Sequence, residues 1–168
     1  MFLSFLRRKM SPSSEFDRLV QAAIELGNRP AIMPIEEIQL AHALSTLPDI
    51  EQVVGRLHRE LFDHQNMHVR RIAVNACRHA KVFDCNGLKE AVTRKLEDSE
   101  AWVRYDAVWL IQAAGYDSSD IRRLLGAAAA ECAADDEAIL KTNRGNAEIQ
   151  ARLKARAALD GLVIDRCD

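Results

Sequence analysis

A chain of 168 residues is long enough to bury one core of its own, and its 48% apolar and 29% charged residues exclude a disordered segment. A formal net charge of −2, with a pI near 6.2, departs from the basic excess of a dedicated nucleic-acid binder. With only four prolines and seven glycines, and no run alternating polar and apolar residues in the period of a strand, the composition predicts an all-α fold.

The chain opens on Phe2, Leu3, Phe5 and Leu6, followed by Arg7, Arg8 and Lys9. Apolar before basic is the reverse of a secretory signal, and the run is too short to cross a bilayer. Residues 1–13 are expected to form a flexible leader folding back on the first helix. Weak contact with a membrane surface through those apolar and basic side chains is the other outcome.

Ser13-Ser14 offers a cap for a first helix, predicted over 14–26 and stopped by Gly27-Asn28. A second helix is predicted over 35–46 with Ile38, Leu40, Ala41 and Leu44 facing inward. Pro48 suits the first turn of a third, over 48–62. The fourth is expected over 67–82, the fifth from Asn86-Gly87 to Asp98, and the sixth over 100–114 with Gly115 as its stop. Asp117-Ser118-Ser119-Asp120 caps a seventh, alanine-rich helix reaching about Ala134. Asp135-Asp136-Glu137 breaks or bends the pattern, Thr142 to Asn146 reads as a loop, and the last helix is predicted over 147–159. Residues 14–162 are thus expected to form a single domain, with 163–168 as a short tail.

Within this series one stretch is written twice. Val69-Arg70-x-x-Ala73-Val74 returns as Val103-Arg104-x-x-Ala107-Val108, a shift of 34 residues. Asp63 precedes the first copy and Asp98 the second, and the helical runs close on Phe83-Asp84 and Tyr116-Asp117. A period of this length, one helical hairpin per unit, is the signature of an α-solenoid, in which each hairpin buries its apolar face only by stacking on the next. The aspartates can accept from open amides at the next helix start. Val69 and Val103 are expected to fill the gap between the helices of each hairpin.

The block Asp98-x4-Val103-Arg104-x2-Ala107, matched by Asp63-x5-Val69-Arg70-x2-Ala73, resembles the HEAT repeat in its short bacterial form. The likeness covers about residues 50–116. It implies an α-α superhelix of about four helical hairpins whose second helices line a concave face. It also implies that Arg70 and Arg104 are structural, each pairing with an aspartate of a neighbouring repeat. The concave positions would be Arg71, Asn75 and Arg78 in one repeat and Tyr105, Trp109 and Gln112 in the next.

Two large aromatics beside two arginines suit an interface hot spot. The other outcome for Trp109 is burial under the following alanine-rich helix. The function expected is that of a non-catalytic scaffold or adaptor, binding a protein or peptide on the concave face. One alternative rests on Trp102 and Asp106 beside Arg104, which resemble the residue types used by HEAT-like alkylpurine DNA glycosylases; nucleic acid would then be the partner. A second alternative is a bilin-lyase-like HEAT protein. The nucleophile elbow, the Walker loop, the dinucleotide fingerprint and the zincin motif are all missing.

His58, His64, His68 and His79 cluster in sequence. His64 and His68 have metal-ligand spacing, but they fall at a turn without matched cysteines, so neither a metal nor a cofactor is expected. Cys77, Cys85, Cys132 and Cys167 contain no C-x-x-C pair and read as reduced thiols of a cytoplasmic protein.

Overall fold

The computed structural model describes residues 12–164, and all the regular elements among them are helical. They are α1 (Pro12–Gly27), α2 (Pro34–Ser45), α3 (Ile50–Glu60), α4 (Met67–Ala80), α5 (Leu88–Arg94), α6 (Ala101–Ala114), α7 (Ser119–Ala130), α8 (Asp136–Thr142) and α9 (Ala147–Ile164), with a 3-10 turn at Lys95–Glu97. The leader and Cys167 lie outside the described residues, although α1 takes in Pro12 and Ser13. None of the described helices is long and apolar enough to cross a membrane.

α2, α4, α6 and α9 pack in that order as one layer. α1 covers α2 and α4, α3 covers α4, α5 covers α6, and α7 covers α9. The interface between the layers is the core. Phe16, Leu44, Leu57, Phe62, Val69, Ile72, Leu110, Ile111 and Leu125 are almost wholly removed from solvent there. Each such side chain contributes about 1.5–3 kcal/mol through burial. Val69 and Val103 are both fully buried.

Element ends differ from the sequence reading for local reasons. α3 begins at Ile50, not Pro48, because Asp49 adopts a left-handed backbone (φ 55°) that a helix cannot include. Lys81 does the same (φ 57°) and ends α4 two residues early. The fifth helix relaxes into the 3-10 turn after Arg94. The seventh stops at Ala130, and the acidic triplet 135–137 opens α8, a helix the sequence reading lacked. Asp136 is the reason: its carboxylate accepts from the Ala133 amide at 3.0 Å and from Arg152 of α9, so the turn is fastened rather than broken. Ile38, expected inside, is 53% exposed, whereas Ala41 and Leu44 of the same helix are buried.

The two copies of the motif share a hydrogen-bond pattern. Arg70 Nη1 donates to the carbonyls of His64 and Gln65, six and five residues back; Arg104 Nη1 donates to those of Asp98 and Ser99, again six and five back. Tyr116, at the end of the second copy, donates its hydroxyl to the carbonyl of Phe83 at the end of the first. The aspartates are not equivalent. Asp98 accepts from the Glu100 amide at 3.1 Å and from both sides of the Arg70 guanidinium. Asp63 caps nothing: it is exposed and pairs with Lys95 at 2.7 Å. The acceptor at the start of α4 is Asn66, whose Oδ1 takes the His68 amide while its Nδ2 donates to the Gly27 carbonyl of α1. A Cβ on Gly27 would fall 2.7 Å from Asn66 Oδ1, so α1 and α4 meet this closely only through glycine.

Candidate functional site

The residues expected on the concave face fall on one layer of helices. Arg71, Asn75 and Arg78 follow i, i+4, i+7 along α4, and Trp102, Tyr105 and Trp109 follow i, i+3, i+7 along α6, so each set shares a helix face. α4 and α6 are neighbours in the layer, with α2 beyond one and α9 beyond the other.

Arg71 forms the polar centre. Its Nε donates to Asp106 Oδ2 of α6 at 2.9 Å and its Nη1 to Glu37 Oε2 of α2 at 2.7 Å. The other oxygen of Glu37 lies 2.6 Å from His68 Nδ1. Both acids are buried. Burial pushes the Asp106 carboxyl above the usual carboxylate range, and the charge and hydrogen bond of Arg71, helped by the Asn75 amide, offset only part of that rise. One arginine therefore braces three helices, and its donors are turned toward the protein.

Beside it runs a chain of edge-to-face rings. Trp102 and Tyr105 have centroids 5.6 Å apart at 89°, and Tyr105 and Trp109 follow at 6.4 Å and 76°. Cations lie along the stripe. The Arg71 guanidinium stands 5.5 Å from the Trp102 ring, Arg78 stands 5.8 Å from Trp109, and Lys154 Nζ of α9 lies 3.1 Å from the Trp109 centroid. Trp109 is 38% exposed. The group on its face comes from α9 rather than from the alanine-rich α7. Burial, and then the nearby Arg78 charge, lower the pKa of the Lys154 ammonium.

Arg78 and Lys154 differ from Arg71 in one respect. Among the described residues neither meets a carboxylate within ion-pair distance, and the hydrogen bond of Arg78 is a long one, 3.4 Å to its neighbour His79. Gln112 is exposed at the end of α6, and the Asn75 amide turns back to the Arg71 carbonyl at 3.0 Å.

The structural residues of the motif sit apart from this stripe. Arg70 and Asp98 form a buried pair (2.7 and 3.0 Å), joined by Lys95, which lies between Asp98 and Asp63. Arg104 pairs with Glu148 of α9. The histidines are engaged separately. His58 meets the edge of Phe62, His64 Nδ1 accepts the Asn66 amide, and His68 joins Glu37. Among the described residues no three His, Cys, Asp or Glu side chains converge as metal ligands. A cavity of about 290 Å³ lies between α6, α7 and α9, lined by Val108, Leu124, Leu125 and Ala155 with Arg104 and Arg152. Among the described residues Arg152 Nε is a buried donor without an acceptor, although the same guanidinium holds Asp136.

Two members of the face were missed by sequence reasoning. Glu37 and Lys154 lie outside the repeated block, and neither carries a motif. Their helices bring them to the site only through the order in which the inner layer stacks. Compared with models of known families, with characterised proteins and with solved structures, the chain matches none.

Proposed function

We propose that this chain is a small HEAT-like helical-repeat scaffold that binds a protein or peptide along the face formed by α4, α6 and α9, without catalysing a reaction. The observation that carries this reading is the stripe Trp102–Tyr105–Trp109. Its distal indole is more than one-third exposed, and cations stand over the first and last rings. Indole and guanidinium groups at the centre of a patch carry most of the binding energy in many interfaces. Gln112, Asn75 and Arg78 extend the same face, and Arg71 holds its helices in register. Three free cysteines among the described residues agree with placement in a bacterial cytoplasm.

The glycosylase-like reading needs an acid open to its substrate. Asp106 is buried and taken up by Arg71, which favours the scaffold reading over it. No feature of the face favours a bilin.

Trp109→Ala and Tyr105→Ala test the proposal. Each is expected to leave the fold intact by circular dichroism and to reduce capture of peptides selected on the unmodified chain by about tenfold or more, the scale of an interface hot spot. Retention of binding by both variants would remove the stripe from the function.

A further inference from the structure

Resting on the reading of this face as a docking surface, we infer that its partner is an acidic peptide segment, with one carboxylate held between Arg78 and Lys154 and an apolar side chain of the same segment laid on Trp109 and Tyr105.

The argument starts from how charges are distributed on the face. Three cations stand there, Arg71, Arg78 and Lys154, with two acids, Glu37 and Asp106. Arg71 takes both acids, and Glu37 is shared further with His68. Arg78 and Lys154 are left beside the same indole with no carboxylate at ion-pair distance among the described residues, and Asp106, which feels the Arg78 charge from farther off, is already taken by Arg71. This happens in a chain whose acids outnumber its lysines and arginines, 25 to 23. Elsewhere the cations commonly find acids, as in Arg56 with Glu60 and Asp17, Arg122 with Asp117, and Arg152 with Asp136.

Geometry adds to the charge. Both cations converge on one ring, so a single anion placed at the rim of Trp109 reaches both. Two like charges drawn together repel, and burial already disfavours the charged Lys154. An arriving carboxylate relieves both strains. Beside the Trp109 and Tyr105 rings, which shield one side of the point from water, its charge-assisted hydrogen bonds are stronger than at an open surface. The Tyr105 hydroxyl has no partner among the described residues and offers the segment a further donor.

The same features favour peptide over nucleic acid. A phosphate backbone requires a track of cations, one for each phosphate neutralised, and affinity grows with their number. Here the free cations are two, they sit at one point, and the third is occupied by protein acids. A peptide needs only one carboxylate at that point and one apolar neighbour.

The experiment is a selection of randomised twelve-residue peptides on the full chain, followed by fluorescence anisotropy of the enriched peptides. Enriched sequences should carry Asp or Glu next to a large apolar residue. Arg78→Gln with Lys154→Gln should weaken them by about tenfold or more, and raised salt should weaken the unmodified chain but not the double variant. Lys154→Glu should lose the acidic peptides and take basic ones, a reversal that misfolding cannot produce.

Enriched peptides without acids, still dependent on Trp109 and unaffected by the double variant, would overturn the acidic partner while leaving the docking face in place. If no peptide bound and single-stranded oligonucleotides did, with dependence on Arg78 and Lys154, the partner would be nucleic acid and the scaffold reading would fall with the inference. Binding of neither class would overturn both.

Discussion

Arg70 and Asp98, 28 residues apart in sequence, meet through two parallel hydrogen bonds of 2.7 and 3.0 Å with both side chains almost removed from solvent. The pair joins the start of α4 to the turn before α6. Arg104, the counterpart of Arg70, pairs instead with Glu148, whose side chain is 57% exposed. The same residue type in the same local fold thus carries two different energetic weights. Removing one partner of a buried pair costs about 3–5 kcal/mol, because the other charge remains uncompensated. An exposed pair contributes about 0–1 kcal/mol. Urea unfolding is expected to show Arg70→Ala losing about 3 kcal/mol or more, and Glu148→Ala losing less than about 1 kcal/mol. Equal losses would remove the distinction.

Acid should act through Asp98. Burial alone would raise its carboxyl, but hydrogen bonds from Arg70 and the Glu100 amide, with the charges of Arg70 and Lys95, hold it below the usual carboxylate range. A depressed folded-state value means the unfolded chain takes the proton first. The stability Asp98 contributes is therefore complete above the unfolded carboxylate range and is lost as pH falls below about 4. Asp106 has the opposite sign, since burial raises it. Its ionisation costs stability, and that cost fades as pH falls. Unfolding free energies measured from about pH 7 down to about pH 3 should decline less steeply in Asp98→Asn than in the unmodified chain, and more steeply in Asp106→Asn. Parallel curves for all three would overturn the assignment.

Gly27→Ala should destabilise the chain even though Gly27 does not use the positive φ that would by itself disfavour alanine. The added methyl meets an Asn66 side chain pinned on both sides, by the His68 amide and the Gly27 carbonyl. The expected loss is about 1–3 kcal/mol, the scale of overpacking. Asn66→Ser on that background shortens the side chain and keeps a capping acceptor, so part of the loss should return in thermal melts. A Gly27→Ala variant as stable as the parent would show that the turn yields easily.

Trp109→Ala is expected to cost about 1–3 kcal/mol, less than truncation of a fully buried tryptophan, since the ring is 38% exposed and its cation contacts are worth roughly 0.5–1 kcal/mol at such sites. A loss of about 4 kcal/mol or more on chemical denaturation would make Trp109 a core residue and remove it from the proposed docking face.

The all-helical fold was legible because periodicity, caps and stops repeat along the chain. The burial of Val69 and Val103 followed from a duplicated motif, and the pairing of Arg70 with an aspartate from what the resemblance implied. What stayed hidden depended on a single residue's backbone or on distant packing. Asp49 and Lys81 take left-handed conformations that their types do not announce. Asp63 and Asp98 look equivalent in the sequence, yet one extra residue in the first turn hands the capping role to Asn66. Three acids in a row resemble a break or bend, yet Asp136 is satisfied by Arg152 from the next helix and α8 begins there. On the candidate face Tyr105, Trp109 and Arg78 were read from the repeat, and Lys154, 45 residues beyond Trp109, carried no signal. Arg71, read as a ligand contact, turned out to be a brace between helices.

The duplicated arginines also give the molecule a direction. Arg70 and Arg104 each take an acid from farther along the chain, from the turn before α6 and from α9. Each helix pair is thus latched by the pair that follows it. Loosening α9 frees Arg104 and then exposes the support under α6, whereas loosening α1 leaves both latches shut. Amide exchange should accordingly advance into the core from the carboxyl-terminal end, so that the Lys154 side of the candidate face is the first part to open and the Arg71 brace the last.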